Sequence, residues 1–190
     1  WVLWSTGAHA NLTLTAPRVA DLVGTSVEEG AEYQVIVRYI NTTGGTVLID
    51  TVRVVINYNE VFVDEVNRPP EIISDNLSSW SADAAHLVPD LANNRINYYK
   101  NSGGDINRTL EVLDGATQNL FTLRFHVPKT AGVGTLNLIF DTTLISGRTT
   151  TSLLQGGTDR TGMIAPPLAI SIRLSSDPSF GGLDNATALA

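Results

Sequence analysis

The sequence predicts an all-β protein, an antiparallel β-sandwich of about eight or nine strands. Short stretches rich in β-branched and aromatic residues are separated by clusters of Gly, Asn, Asp and Pro. Several stretches alternate apolar and polar side chains, which is typical of strands with one face in a core. Neither a long helical period nor a repeat of fixed length is present, which argues against helical bundles, solenoids and propellers.

Eight stretches are predicted as strands, at residues 11–17, 33–40, 51–58, 61–66, 95–101, 121–127, 135–141 and 167–174. The stretch TVRVVINY (51–58) alternates Val54, Ile56 and Tyr58 with more polar neighbours, as in a half-buried strand, whereas 33–40 is apolar on both sides. From 67 to 90 the polar, proline-bounded chain predicts a long connection with a short helical turn at 82–87.

Composition indicates one globular domain with no affinity for nucleic acid. The chain has 190 residues, of which 43% are hydrophobic and 16% charged, so it has enough apolar side chains for a core. Its formal net charge of −7 repels phosphate backbones and anionic membrane surfaces. No apolar run approaches the roughly 20 residues of a membrane-spanning helix. We therefore expect no nucleic-acid partner and no membrane insertion within this chain.

The two ends differ from the central part of the chain. Residues 1–10 (WVLWSTGAHA) are expected to be an N-terminal extension, and 11–174 the sandwich domain. After Leu174 the strand pattern fades, which predicts a linker or docking strand at 175–190. Cysteine is absent, so the sequence offers no disulfide and no thiolate metal site.

The sequence contains no convergent catalytic set. The three histidines, His9, His86 and His126, are far apart and lack metal-site spacing, and no Gly-x-Ser-x-Gly elbow is present. Asp83 and His86 would share one face of a helical turn, but two ligands do not make a metal site, so they are interpreted as a solvated loop pair. We expect a protein without enzymatic activity, cofactor or metal.

Five Asn-x-Ser/Thr sequons point weakly to secretion and glycosylation. They begin at Asn11, Asn41, Asn76, Asn107 and Asn185, against about two or three expected by chance from this composition. The alternative is that a chain rich in Thr and Asn forms such matches by accident, since many sequons are never modified.

Four segments, taken in order, resemble those of the cohesin domain, a β-sandwich that binds dockerins in cellulosomes. They are VEEGAEYQVIVRYINTTGG, VRVVINYNEVFVDEV, NRINYYKNSGG and LFTLRFHVPKTAGVGTLNLIFD. In the second segment, Asn59 and Glu60 stand where the family usually has Asp and Pro. The resemblance covers about residues 11–174 and implies a jelly-roll-like topology. The tail DPSFGGLDNATALA resembles the start of a fibronectin type III domain.

The resemblance also implies a partner-binding face, because in cohesins the corresponding strands form one sheet that contacts the dockerin. If the apolar residues of these strands face the core, the opposite side presents Arg53, Val55, Asn57, Arg95, Asn97, Tyr99, Arg124 and His126. Arg and Tyr make strong, specific contacts in interfaces. The alternative is an ordinary polar outer face shielded by arginines.

Three functions remain open at the level of sequence. The first is a noncatalytic extracellular module for protein attachment at a cell surface or in a secreted assembly. The second is a subunit of a filament or surface layer that binds copies of itself, with one end of the chain added as a strand to the next copy. The third is binding of a polysaccharide, in which Trp80 would contact the sugar; alternatively, Trp80 folds back and covers one end of the sandwich.

Overall fold

The computed structural model describes residues 12–15, 26–82, 89–145 and 148–175. Within these ranges the chain is built from short strands and three single-turn 3₁₀ helices, at Glu60–Phe62, Leu91–Asn93 and Ile106–Arg108, which confirms the all-β prediction. None of the described helices has the length and apolar character needed to cross a membrane. The strands are β1 (Leu12–Thr15), β2 (Ser26–Glu28), β3 (Glu32–Ile40), β4 (Val47–Ile49), β5 (Thr51–Tyr58), β6 (Glu71–Asp75), β7 (Ser81–Ala82), β8 (Pro89–Asp90), β9 (Arg95–Asn101), β10 (Leu110–Val112), β11 (Thr117–His126), β12 (Gly134–Phe140), β13 (Leu144–Ile145), β14 (Arg148–Thr149), β15 (Ser152–Gln155), β16 (Thr158–Asp159) and β17 (Leu168–Arg173).

Two sheets form the sandwich. The small sheet has the order β1-β3-β11-β6. In the large sheet, β5 pairs along one edge with β9, while its other edge pairs with β15 at the start of β5 and with β12 at its end. The large sheet continues from β12 to β17 and β2, and β7 and β8 both pair with the far edge of β9. Two-stranded pairs β4–β10 and β13–β14 complete the described structure.

Alternation along the strands places one apolar row of each sheet in the core. Tyr33, Val35, Val37 and Tyr39 of β3 are fully buried, although the intervening positions are half-buried. Aromatic rings join the two sheets: Tyr98 of β9 stacks on Phe121 of β11 with ring centroids 4.0 Å apart. Because both faces of the core are closed in this way, the outer faces remain for contacts with other molecules.

A buried ion pair also connects the sheets. Lys100, on the inward side of β9, places its Nζ 2.9 Å from Oδ2 of Asp75 at the end of β6. The Tyr98 hydroxyl donates a hydrogen bond of 2.7 Å to the other carboxylate oxygen, and the Leu77 amide donates to the same atom. Burial, and then the bond to Asp75, raises the pKa of Tyr98, so its hydroxyl stays protonated as a donor.

The structure differs from the sequence prediction between residues 61 and 75. The strand predicted at 61–66 is wrong: Glu60–Phe62 is a 3₁₀ helix, and the Asp64 carboxylate organises the next turn by accepting from the Asn67 amide. The long connection predicted after it contains β6, an edge strand paired with β11. β6 lacks regular alternation of buried and exposed residues, so its sequence carries little strand signal. Of the helical turn predicted at 82–87, the structure describes only Ala82, which ends β7. Residues 83–87 lie outside the described residues.

One strand pair departs from the antiparallel arrangement. β2 pairs in parallel with β17, and Glu28 and Arg173 at the end of this ladder form an ion pair of 3.1 Å. The pairing joins a segment near the start of the described chain to the last described strand. The N-terminal extension and the fibronectin-like tail predicted after residue 176 lie outside the described residues.

Candidate functional site

Six of the eight residues predicted for the partner-binding face lie side by side on the large sheet. Each is half-buried, whereas the alternate residues Val54, Ile56, Ile96 and Tyr98 are buried in the core. Since residues directly opposite each other in a ladder point to the same side, the six form one surface. The β5–β9 register pairs Arg53 with Tyr99, Val55 with Asn97 and Asn57 with Arg95.

Arg124 and His126 do not belong to this surface, and here the prediction is wrong. Both are in β11, which pairs with β3 and β6 in the small sheet. Arg124 forms ion pairs with Glu71 and Glu32; the hydrogen bond that its guanidinium donates to Glu71, more than any other contact, raises the pKa of Arg124. His126 is only 8% exposed, and its Nδ1 lies 3.4 Å from Arg68. Neither side chain is available on the outer face of the large sheet.

β12 contributes a third row, which the sequence prediction missed. Ile139 lies opposite Asn57 in the ladder and is 42% exposed, and Asn137 on the same side is exposed. The sequence of β12 did carry a signal for this row, because its residues alternate between buried and exposed along the strand. The sequence could not show that β12 lies next to β5. We use "outer face" below for Arg53, Val55, Asn57, Arg95, Asn97, Tyr99, Asn137 and Ile139.

The two arginines of the outer face differ in their charge partners. The Arg95 guanidinium donates to Asp90 at 2.8 Å, and the Asn93 amide, followed by Arg95, holds the pKa of Asp90 below its usual value. The Arg53 guanidinium lies 5.4 Å from the centroid of the Tyr99 ring. Among the described residues no carboxylate forms an ion pair with Arg53. Arg53 is therefore the cation of this face that is left to attract an external anion.

Asp141 borders the outer face at the end of β12. Its amide donates to the Val55 carbonyl, and the Asn57 side chain forms a hydrogen bond with its carboxylate. Burial alone raises the pKa of Asp141, but the hydrogen bonds from Thr143 outweigh that effect and lower it. The carboxylate is ionised at neutral pH and holds Asn57 in place.

Trp80 does not serve as the predicted sugar contact. It is only 6% exposed and packs with the hydrophobic core, as the alternative of an inward-folded ring requires. A buried ring leaves no face on which a sugar can stack.

The sequons fall into three groups. Asn41 is fully buried, and its Nδ2 donates to the carbonyls of Val112 and Gly45 at 2.7 and 2.6 Å, so the atom that would carry a glycan is already used; the prediction of glycosylation here is wrong. Asn76 and Asn107 are exposed and remain predicted acceptors. Asn11 and Asn185 lie outside the described residues.

Metal-ligating side chains do not converge in the part of the chain that the structure describes, where no group of three or more His, Asp or Glu residues is found. His9, and the pair Asp83 and His86, lie outside that part.

Comparison with solved structures assigns the fold. The chain is similar to a type II cohesin in a cohesin–X-dockerin complex from Acetivibrio cellulolyticus, at 14% identity and a TM-score of 0.56, covering 87% of this chain and 100% of that one. A second type II cohesin module, from a scaffoldin of the same organism, matches at 16% identity and a TM-score of 0.55, with coverage of 85% and 95%. A type I cohesin from a cohesin–dockerin complex of Clostridium thermocellum matches at 12% identity and a TM-score of 0.51, with coverage of 87% and 99%. No protein-family model and no curated protein matches the sequence.

Proposed function

We propose, from the premise that this chain has a cohesin-like fold, that it is a noncatalytic module that binds a protein partner through its outer face. The observation that carries the proposal is the joint presentation of Arg53, Tyr99 and Ile139 on three neighbouring strands. Arginine, tyrosine and apolar side chains set among neutral amides are the composition of a protein interface. The similar cohesins in complexes with dockerins support a protein as the partner.

We also propose that the module works outside the cell, in a surface or secreted assembly. Two sequons at exposed positions, Asn76 and Asn107, are compatible with that location. The similar scaffoldin module belongs to a cellulosome. Binding of a polysaccharide receives less support, because Trp80 is buried.

Arg53 is expected to be the charged anchor of the interface. Its guanidinium stacks near Tyr99 and has no carboxylate partner among the described residues, so a carboxylate of the partner would gain a charge-assisted hydrogen bond there. Replacing Arg53 by Gln is expected to weaken partner binding about thirtyfold, the effect of losing a central interface residue. The immobilised chain should retain a secreted protein of its source organism that the variant releases, and surface plasmon resonance with that protein gives the dissociation constants.

Arg124→Gln is the matched control, since Arg124 lies on the opposite sheet. It should leave the dissociation constant within about twofold of the wild type, as for a residue outside the interface. Both variants should melt close to the wild-type temperature, because Arg53 forms no ion pair among the described residues and the partly exposed ion pairs of Arg124 contribute little stability. Equal capture by Arg53→Gln and wild type would exclude the outer face as the binding surface.

A further inference from the structure

A small pocket lies at one end of β5 and β9, two of the three strands that carry the outer face. It has a volume of about 200 Å³ and is lined by residues next to the start of β5, the end of β9 and the end of β15. Pockets that take whole small molecules are larger, about 300 Å³ or more. The space therefore suits one long side chain better than a free ligand. Its lining includes Leu48, Asp50, Ser102 and Gln155.

Ser102 marks the pocket as a polar site. The residue is only 3% exposed, and its backbone amide donates to the Asp50 carbonyl at 2.8 Å. Its hydroxyl has no hydrogen-bond partner within the described structure. Leaving a buried hydroxyl unpaired costs about 1–3 kcal/mol. Such a group on the wall of a pocket points to an occupant with polar atoms.

The charge of the pocket selects the kind of occupant. Asp50 is the acidic residue on its wall, and its carboxylate accepts hydrogen bonds from the Thr51 hydroxyl and from the Gly156 amide. These bonds hold the carboxylate in place but leave lone pairs for a further donor. Gln155 adds an oxygen that is oriented by a hydrogen bond of 3.1 Å from Arg160. Leu48 supplies an apolar wall.

We propose that this pocket binds the ammonium group of a lysine side chain presented by the protein partner. The aliphatic chain would pack on Leu48, and the ammonium would donate to Asp50 and Ser102. A calcium ion fits less well, because it takes six to eight oxygen ligands, several of them carboxylates, and gains nothing from an apolar wall. A lysine needs one carboxylate and a few neutral acceptors.

The inference rests on the proposed function and adds the chemistry of the partner. Thr51 pairs with Asn101 two positions beyond the Arg53–Tyr99 pair, and Asp50 and Ser102 follow at the end of the same two strands. A partner with an acidic residue opposite Arg53 and a lysine near Asp50 would match both charges. Opposite charges at two points fix the orientation of a bound protein.

The test uses the whole chain labelled with ¹⁵N and a probe that needs no partner. Nα-acetyl-lysine amide is titrated while the amide signals of Ser102, Gly104 and Gly156 are followed; Nα-acetyl-norleucine amide, which lacks the ammonium, and calcium chloride are titrated in parallel. We expect saturable shifts at these amides with the lysine probe and at least about tenfold weaker effects with norleucine, since a hydrogen bond to a charged group is lost. Equal shifts with norleucine, a response to calcium alone, or none with any probe would overturn the proposal.

Two variants separate the pocket from the outer face. Ser102→Val breaks no hydrogen bond of the hydroxyl and fills the space, so it should abolish the lysine shifts, whereas Ser74→Val on exposed β6 should not. If Ser102→Val disturbs the fold, seen as shifts spread over the spectrum, Asp50→Asn tests the same site through its charge and should weaken the lysine probe about tenfold. Lysine shifts that persist in both variants count against the pocket. Loss of partner capture in Arg53→Gln without any lysine shift in wild type would leave the proposed function standing and remove only this inference.

Discussion

Replacement of Asp75 by Ala is expected to lower the free energy of unfolding by about 4 kcal/mol, because it leaves the ammonium of Lys100 buried without its counterion. The Lys100 side chain is 7% exposed and the Asp75 side chain 21%, so water cannot substitute fully for the carboxylate. The variant also removes the acceptor of the Tyr98 hydroxyl and of the Leu77 amide. Urea denaturation followed by tryptophan fluorescence measures the change.

A second substitution tests the cause of that loss. Lys100→Met in the Asp75→Ala background removes the unpaired charge, so it should recover a large part of the lost stability. Asp114→Ala is the control, because Asp114 is exposed and accepts one hydrogen bond from the Gly44 amide; about 1 kcal/mol or less is expected. A loss in Asp75→Ala no greater than in Asp114→Ala would show that the ion pair does not stabilise the sandwich.

Asn41→Ala is expected to cost about 3 kcal/mol, since the buried Val112 carbonyl and the partly buried groups of Thr43 and Gly45 lose their partner at once. The Asn41 amide binds the carbonyls of Val112 and Gly45, and its oxygen accepts from the Thr43 amide at 3.0 Å and hydroxyl at 2.8 Å. Asn41 thus ties the turn after β3 to the end of β10. The midpoint of urea unfolding reports the loss.

The matched control for Asn41 is Asn107→Ala, an exposed sequon asparagine whose amide contacts only Asp105 among the described residues. It should change stability by no more than about 0.5 kcal/mol, as for most surface positions. If the chain is expressed in a glycosylating host, mass spectrometry should find Asn41 unmodified. A glycan at Asn41, or equal stability of the two variants, would contradict the assigned role.

The central strands could be predicted because alternation is a local property. The stretches predicted at 51–58 and 95–101 coincide with β5 and β9, and the inward phase of Val54, Ile56 and Tyr98 is confirmed. Short strands outside this pattern, such as β4 and β10, have three residues each and were missed. Three residues do not establish a period.

The candidate site was only partly predictable because alternation tells which side chains leave the core, not in which sheet they do so. Arg124 lies at a position that points away from the core, as the sequence indicated. Its strand, β11, nevertheless belongs to the small sheet, whereas Arg53 belongs to the large sheet. Conversely, Ile139 was not recognised because its neighbour Asn57 is far away in the chain. The same reasoning explains why the pairing of Asp75 with Lys100 was missed: it depends on two sheets meeting across the core.

The parallel ladder between β2 and β17 affects the order in which the molecule is completed. Ser26 of β2 pairs with Ser171 of β17, and Glu28 pairs with Arg173. β2 therefore cannot pair until β17, the last of the described strands, has left the ribosome. Joining segments so far apart in sequence carries a large cost in chain entropy, and folds dominated by such contacts fold slowly. Until synthesis reaches β17, the adjacent edge of β12 has no strand to pair with. The native arrangement of the large sheet therefore becomes available only once β17 has been synthesised.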